Sequence, residues 1–403
     1  MAKSRPLRLL YAAGPGDVIG TFGHWKAGRD DPMQVAVTYS GQFLELCREL
    51  DADGYVISYN PRRAKVVDGR FTIEHRPHRW KRGPGPLYHL GQIWYGVRLA
   101  VTAARFGADA AVVTDGTHWF ALGLMRLFGV RVIPSVHCVL WRHNRPPTDF
   151  TGKLVRRLNT RFFGRRASAV LCVSEAIAQQ IRPMMNGRAT AAPIIPFLPT
   201  YRRESFGDGF PAPPPAPPFR VFYAGRIERN KGVFDLLEIA KQLARDGQID
   251  IDFDLCGTGS ALEPLREAAA AAGVAERFRC HGHSPQSFMR EMYQRCHVVI
   301  VPTTSDFVEG FNKVVAEGVL AGRPVITSSV CPALEYVKDA VLEVPPDDAA
   351  GYAAGILQLR DDKALYDSKQ SASAVTRTQF YDPTFGWQAA VRRAIGKDPA
   401  QSH

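Results

Sequence analysis

Three stretches of this chain set charged residues and glycines at spacings that could do chemistry. The first, VPTTSDFVEGFNKVVAEGVLAGRPVITS (301–328), sets Glu309 and Glu317 eight positions apart. A helix opening near Gly310 would carry Glu317 about two turns inward, on one face with Val314 and with Leu320 or Ala321. Glu309 would stand at the mouth beside Asp306, where a carboxylate can accept hydrogen bonds from sugar hydroxyls. The N–H groups of Gly310, Phe311, Asn312 and Lys313 would lack helical partners and would favour an anion nearby. The second stretch, FYAGRIERNKG (222–232), follows a strand pattern and precedes a helical one. Gly225 permits a tight turn there, and Arg226 and Lys231 flank a helix N-terminus, a combination that suits a diphosphate. The third, LCGTGSALEPL (255–265), offers Gly257 and Gly259 at a strand end, where a nucleotide could approach the backbone. Each stretch has a plainer reading: an ordinary glutamate on an amphipathic helix, a charged surface loop, and a pair of turn glycines. The Walker pattern GxxxxGK[ST] is absent.

Histidines stand at several predicted strand ends. His118 follows VVTDG, and His137 closes VIPSVH. Either could serve a site or simply hold a loop. His281 and His283 form an H-x-H pair without a third ligand at suitable spacing, so no metal is expected.

The elements that must position these residues alternate regularly. Residues 7–14 read as a strand leading into a Gly-rich loop over 14–28. Helical patterns over 40–50, 86–107, 118–129 and 151–166 alternate with strand patterns over 54–60, 108–116, 130–137 and 168–174, the last closing the run. PAPPPAPP (211–218) then interrupts, and proline disfavours the interiors of helices and sheets. From Phe219 the rhythm restarts, with strands over 219–225, 249–257, 277–282, 297–303 and 323–328 and helices between them. This order predicts an α/β chain of two doubly wound domains, 1–205 and 219–380, joined by a linker over 206–218. A final segment, 381–403, follows them.

The charge is uneven. Residues 1–205 carry 30 Lys+Arg against 14 Asp+Glu, or +16, while the rest carries 21 against 25, or −4. The basic excess therefore belongs to the first half and suits an acidic partner or surface. Lys153, Arg156, Arg157, Arg161, Arg165 and Arg166 share one predicted helix with Leu154, Leu158 and Phe162. Such a helix can lie on anionic lipid, or show a solvated face above a core stripe. Arg142, Arg145 and RPHRWKRGPG (76–85), with Trp80, would enlarge the patch. No nucleic-acid-binding module is spelled out, so no nucleic-acid partner is expected. The seven cysteines are widely spaced without a CxxC and read as buried thiols. No apolar run approaches a membrane span, and MAKSRPLRLLYAAGPGD reads as a first strand rather than a signal peptide. A cytoplasmic protein is expected, in contact with the inner face of the membrane. Nothing in the sequence fixes an oligomeric state.

In this order, EGFNKVVAE, AGRIERNKG, GTG, HGHS and AGRPVITS resemble glycosyltransferase family 4, with its E-x7-E signature and GT-B fold. The resemblance is specific over 219–328 and looser elsewhere, and TFGWQAAVRRAI (384–395) is similar to the family's last helix, which returns toward the first domain. It implies two Rossmann-like domains facing across a deep cleft and a retaining transfer from a UDP- or GDP-type nucleotide-diphosphate-sugar. No cofactor or metal is implied. Arg226 and Lys231 would hold the diphosphate, Glu309 the sugar hydroxyls, Gly310 to Asn312 the sugar and phosphate, and Glu317 the ribose. Gly20 would lie under the phosphate or sugar, and His118 near the reacting carbon. The acceptor hydroxyl would attack from the leaving-group side and lose its proton to the departing phosphate, which leaves no protein base to name. The acceptor would be a glycan or a lipid-diphosphate-linked sugar held by the basic first domain. An epimerase or hydrolase of the same fold, and a non-enzymatic basic binding protein, are the alternatives.

Overall fold

Segments such as Val298–Val301 and Val170–Cys172 are apolar at every position, which suits strands covered on both faces. In the computed structural model, which describes residues 5–78, 85–142, 145–185 and 192–397, all positions of both segments are buried. The chain forms two units. The first draws on residues 1–140, 146–200 and 383–403, and the second on 141–145 and 201–382.

The first unit runs β1 (Arg8–Ala13), α1 (Val18–Lys26), α2 (Tyr39–Glu49), β2 (Asp53–Ser58), β3 (Ala64–Asp68), β4 (Phe71–His75), α3 (Pro86–Phe106), β5 (Ala110–Val113), a 3-10 helix (Trp119–Phe128), β6 (Arg131–Val136), α4 (Phe150–Arg165), β7 (Val170–Cys172), α5 (Glu175–Met185) and β8 (Ile194–Pro196). Its sheet has the order β3-β4-β2-β1-β5-β6-β7-β8, parallel except for the β3–β4 pair. Three expectations change here. The Gly-rich loop over 14–28 is mostly helix α1, because Asp17 caps it by accepting the Gly20 N–H at 2.8 Å. The run does not close at 174 but continues through α5 and β8. The helix expected over 118–129 is the tighter 3-10 form.

The second unit runs α6 (Arg203–Phe206), β9 (Phe219–Ala224), a short 3-10 turn (Arg229–Lys231), α7 (Val233–Arg245), β10 (Ile251–Cys256), α8 (Leu262–Ala271), β11 (Phe278–Gly282), α9 (Gln286–Arg295), β12 (Val298–Val301), α10 (Lys313–Leu320), β13 (Val325–Thr327), α11 (Leu334–Val337), β14 (Val341–Glu343), α12 (Ala349–Asp361) and α13 (Lys363–Thr376). Its six strands are ordered β11-β10-β9-β12-β13-β14. Val233, Leu236 and Leu243 of α7 share one core with Val221, Phe253 and Val298. Full burial of each such aliphatic side chain contributes about 1.5–3 kcal/mol.

The proline-rich stretch is not a free spacer between units. Arg323, fully buried, donates to the carbonyls of Phe210 (3.2 Å) and Pro211 (2.7 Å) and also to those of Tyr293 and Gln294 (both 3.0 Å). Prolines offer acceptors but no backbone donors, so a buried guanidinium fork can fasten this segment to the second unit. Residues 201–218 accordingly belong to that unit. The last helix, α14 (Trp387–Ala394), belongs to the first unit, where Trp387 Nε1 donates to Ser135 Oγ at 2.9 Å.

Candidate active site

Strand pairing decides which loops meet. β9 and β12 are parallel neighbours, with Val221 opposite Val298 and Phe222 opposite Val299. Chain order reverses between them, so their carboxyl-end loops form the switch point at which open sheets take ligands. The β9 loop brings Arg226 and Lys231, and the β12 loop brings Glu309 and Asn312. The Lys231 ammonium forms an ion pair with the Glu309 carboxylate, both side chains being 12% exposed. Lys231 Nζ lies 3.9 Å from the centroid of the Phe307 ring, and the Arg226 guanidinium carbon lies 5.2 Å from it. Phe307 is thus a shared platform for two cations, each attracted to the ring face. Sequence reasoning missed this residue, although an aromatic between Asp306 and Glu309 was a signal in plain view.

Glu309 is held from several sides. Gly310 N–H donates to its Oε1 and Asn312 Nδ2 to its Oε2, both at 3.2 Å. Asn312 also reaches Thr303 Oγ1 at 3.4 Å. Its backbone is left-handed, φ +67°, a region asparagine tolerates better than most residues. That conformation delays the helix: α10 opens at Lys313, not at Gly310 as expected. The Gly310 amide, outside the helix, faces the Glu309 carboxylate. Phe311, 4% exposed, anchors the turn, its ring near Tyr336 and its carbonyl accepting the Ala333 N–H at 2.9 Å.

Glu317 sits deeper than its spacing implied, at 6% exposure. Tyr293 donates to Oε2 at 2.7 Å and Tyr201 to Oε1 at 3.3 Å. Burial raises its pKa, with Tyr293 and Lys313 opposing, and burial lowers that of Lys313, with Glu317 opposing. Neither tyrosine could be assigned to it from local sequence.

Two glycines have a specific steric reason. A Cβ on Gly257 (φ +147°) would lie 1.7 Å from the Gly225 carbonyl oxygen, and one on Gly232 (φ +74°) would lie 2.0 Å from that of Pro302. The loops after β9, β10 and β12 can therefore touch only without side chains at these points. Gly225 and Gly257 shape the site through this contact.

In the first unit, His118 leaves β5, and its Nε2 lies 2.9 Å from His89 Nδ1 with the rings stacked. Burial, helped by His89, pushes its pKa down to about 4. It is a neutral hydrogen-bonding ring at pH 7, not a cation for phosphate. Gly20 lies in the first turn of α1, where its N–H is given to the capping Asp17. His137 is tied to Ser135 Oγ at 2.9 Å, and His281 to Asp254 at 2.8 Å beside Arg279. No group of three or more metal-ligating side chains occurs among the described residues. On α4, Lys153, Arg156, Arg157, Arg161 and Arg165 are exposed, as are Phe150 (83%) and Leu154 (45%), while Phe162 turns into the core. Most of RPHRWKRGPG, including Trp80, lies outside the described residues. Among those described, no helix is long and apolar enough to cross a membrane.

Comparison with known proteins decides the family. Residues 210–375 match the model for glycosyl transferases group 1, and residues 38–197 match that for the glycosyl transferase 4-like domain. The chain belongs to the family 4 glycosyltransferases. This glycosyltransferase is 24% identical over 293 residues to the α-D-kanosaminyltransferase of Streptomyces kanamyceticus, covering 68% of this chain and 73% of that protein. Among solved structures it resembles sucrose-phosphate synthase from Thermosynechococcus elongatus, with a TM-score of 0.69 at 15% identity over 96% of this chain and 97% of that one. It also resembles an Anabaena protein, HepE, in complex with UDP-glucose, with a TM-score of 0.65 at 15% identity over 97% and 98%. Its fold is therefore GT-B, two parallel-sheet α/β domains, and it is an enzyme of the glycosyltransferase class.

Proposed function

We propose that this glycosyltransferase moves a sugar, with retention, from a nucleotide-diphosphate-sugar to a glycan or lipid-linked acceptor in cell-surface polysaccharide or glycolipid synthesis. The observation that carries the reading is the convergence of Arg226, Lys231 and Glu309 at the β9/β12 switch point. Two cations on one aromatic platform suit a diphosphate and the charge that develops as it departs. They supply what a divalent ion would otherwise supply, which supports catalysis without metal. Glu309, fixed by two N–H donors, keeps oxygen lone pairs for sugar hydroxyls. Glu317 is the ribose ligand in this reading, oriented by its two tyrosines, and His118 is the neutral group near the reacting carbon. UDP is favoured as the base carrier because the Anabaena relative binds UDP-glucose. The test is a thermal-shift screen of UDP-, GDP- and ADP-sugars followed by donor hydrolysis in EDTA. One donor should stabilise the protein and turn over without metal; stabilisation by none, or strict metal dependence, contradicts the proposal.

The exposed arginines of α4, beside Phe150 and Leu154, support peripheral contact with anionic lipid at the inner membrane face. Sedimentation with vesicles containing phosphatidylglycerol should fall at least about fivefold when the basic residues over 153–166 are reversed in charge. Equal sedimentation of both proteins would remove the membrane from the proposal.

A further inference from the structure

Exposed apolar side chains on the first unit are not scattered. Among the described residues, nine of the fourteen large apolar side chains that are exposed lie on α3, the 3-10 helix and α4. A single exposed leucine is ordinary on a protein surface, but a contiguous group marks a contact. α3 carries Leu87, Leu90, Trp94 and Val101 at positions i, i+3, i+7 and i+14, which form one outward stripe. Its opposite face, with Tyr95, Leu99 and Ala103, is buried. A surface helix needs one apolar face for the core, and this one has two. Leu127 and Phe128 stand out from the 3-10 helix and Phe150 from the first turn of α4, each more than half exposed.

Topology joins the three helices. The steps from β4 to β5, β5 to β6 and β6 to β7 link parallel strands and run in one direction along the sheet. Right-handed crossovers of that kind lay their helices on one face. α3 and α4 both pack on the 3-10 helix between them. The first of these contacts is close, since a Cβ on Gly96 of α3 would lie 2.7 Å from that of Ala121. The layer's charge has one sign: α3, the 3-10 helix and α4 hold two, one and five Lys or Arg and no Asp or Glu. A second copy docking about a two-fold axis would set these cations against themselves. An anionic bilayer answers both features. Its headgroups meet the cations, its acyl boundary takes the apolar tips, and tryptophan suits the level between them.

We infer that this three-helix layer, and not α4 alone, is the membrane-docking face, and that the apolar tips of α3 and the 3-10 helix insert among anionic lipids. The inference rests on the membrane contact proposed above for α4 and adds insertion to attraction by charge. The two differ in what they resist. Attraction between exposed charges is screened by salt, whereas burial of apolar side chains is not.

The test is sedimentation of the full chain with vesicles of phosphatidylglycerol and phosphatidylcholine, at low and high salt. Wild type should keep part of its binding at high salt. The triple variant Leu87→Ser/Leu90→Ser/Trp94→Ser should bind at least about tenfold more weakly at low salt and not at all at high salt. Its melting curve should match that of wild type, because the three side chains are exposed. A second readout needs no disruptive change: brominated phosphatidylcholine in the vesicles should quench tryptophan fluorescence, and Trp94→Phe should remove most of that quenching. A triple variant that binds as well as wild type, or quenching that Trp94→Phe leaves intact, overturns the inference. If reversal of the α4 charges still weakens binding in that case, the contact by charge stands without insertion. A wild type that does not sediment with the vesicles overturns the membrane contact itself, and this inference with it. A wild type that is a dimer in solution, and a monomer once the three side chains are replaced, gives the stripe to a second copy and likewise overturns the inference.

Discussion

Lys231→Ala should cut donor turnover by two to three orders of magnitude, the scale lost when one charged donor to a developing oxyanion is removed. The loss should fall on kcat more than on KM if the ammonium acts mainly on the departing diphosphate. Glu309→Ala should cost less, about 10–100-fold, as expected for hydrogen bonds to one ionised group. The two effects should not multiply. Lys231 and Glu309 are paired and little exposed, so either single change leaves the other charge partly buried and unmatched. Without Lys231, Glu309 would also repel the phosphate. The double variant should therefore retain more activity than the product of the single losses predicts. Steady-state kinetics on the three proteins, with melting curves to confirm folding, measures this coupling. Single variants with wild-type rates would remove both residues from the chemistry.

The second large effect is on stability. Arg323→Ala should destabilise the protein by about 3–5 kcal/mol, the range for removing one member of a fully buried charged network. Four carbonyls, those of Phe210, Pro211, Tyr293 and Gln294, would lose the guanidinium that donates to them. Arg323→Lys should recover only part, since an ammonium cannot reproduce a planar fork serving four acceptors. Urea unfolding provides the number, and a loss below about 1 kcal/mol would mean that the 201–218 segment is fastened by something else.

What was legible in the sequence followed local rules. The apolar runs at Val298–Val301 and Phe219–Ala224 declared buried parallel strands, and each placed its polar cluster in the loop after it. Arg226, Lys231 and Glu309 could thus be named as candidates before any geometry. Their meeting is a non-local fact, set by β9 pairing with β12 across the intervening β10 and β11. The same limit hid the tyrosines on Glu317 and the fastening of the proline segment by Arg323, which lies more than a hundred residues away in sequence. Two misreadings were local and had signals. Asp17, three residues before Gly20, was an N-cap that announced α1 where glycine content suggested loop. Asn312 is a residue able to take positive φ, and that turn moved the opening of α10 from Gly310 to Lys313.

The most direct test of a diphosphate held by the Arg226 and Lys231 loop is calorimetric titration of UDP and GDP in EDTA. Wild type should bind one of them without metal, and the double variant Arg226→Ala/Lys231→Ala should bind it at least about a hundredfold more weakly, as loss of two charge-assisted contacts requires. Equal affinity in the two proteins, or binding that vanishes with EDTA and returns only with a divalent ion, would contradict it.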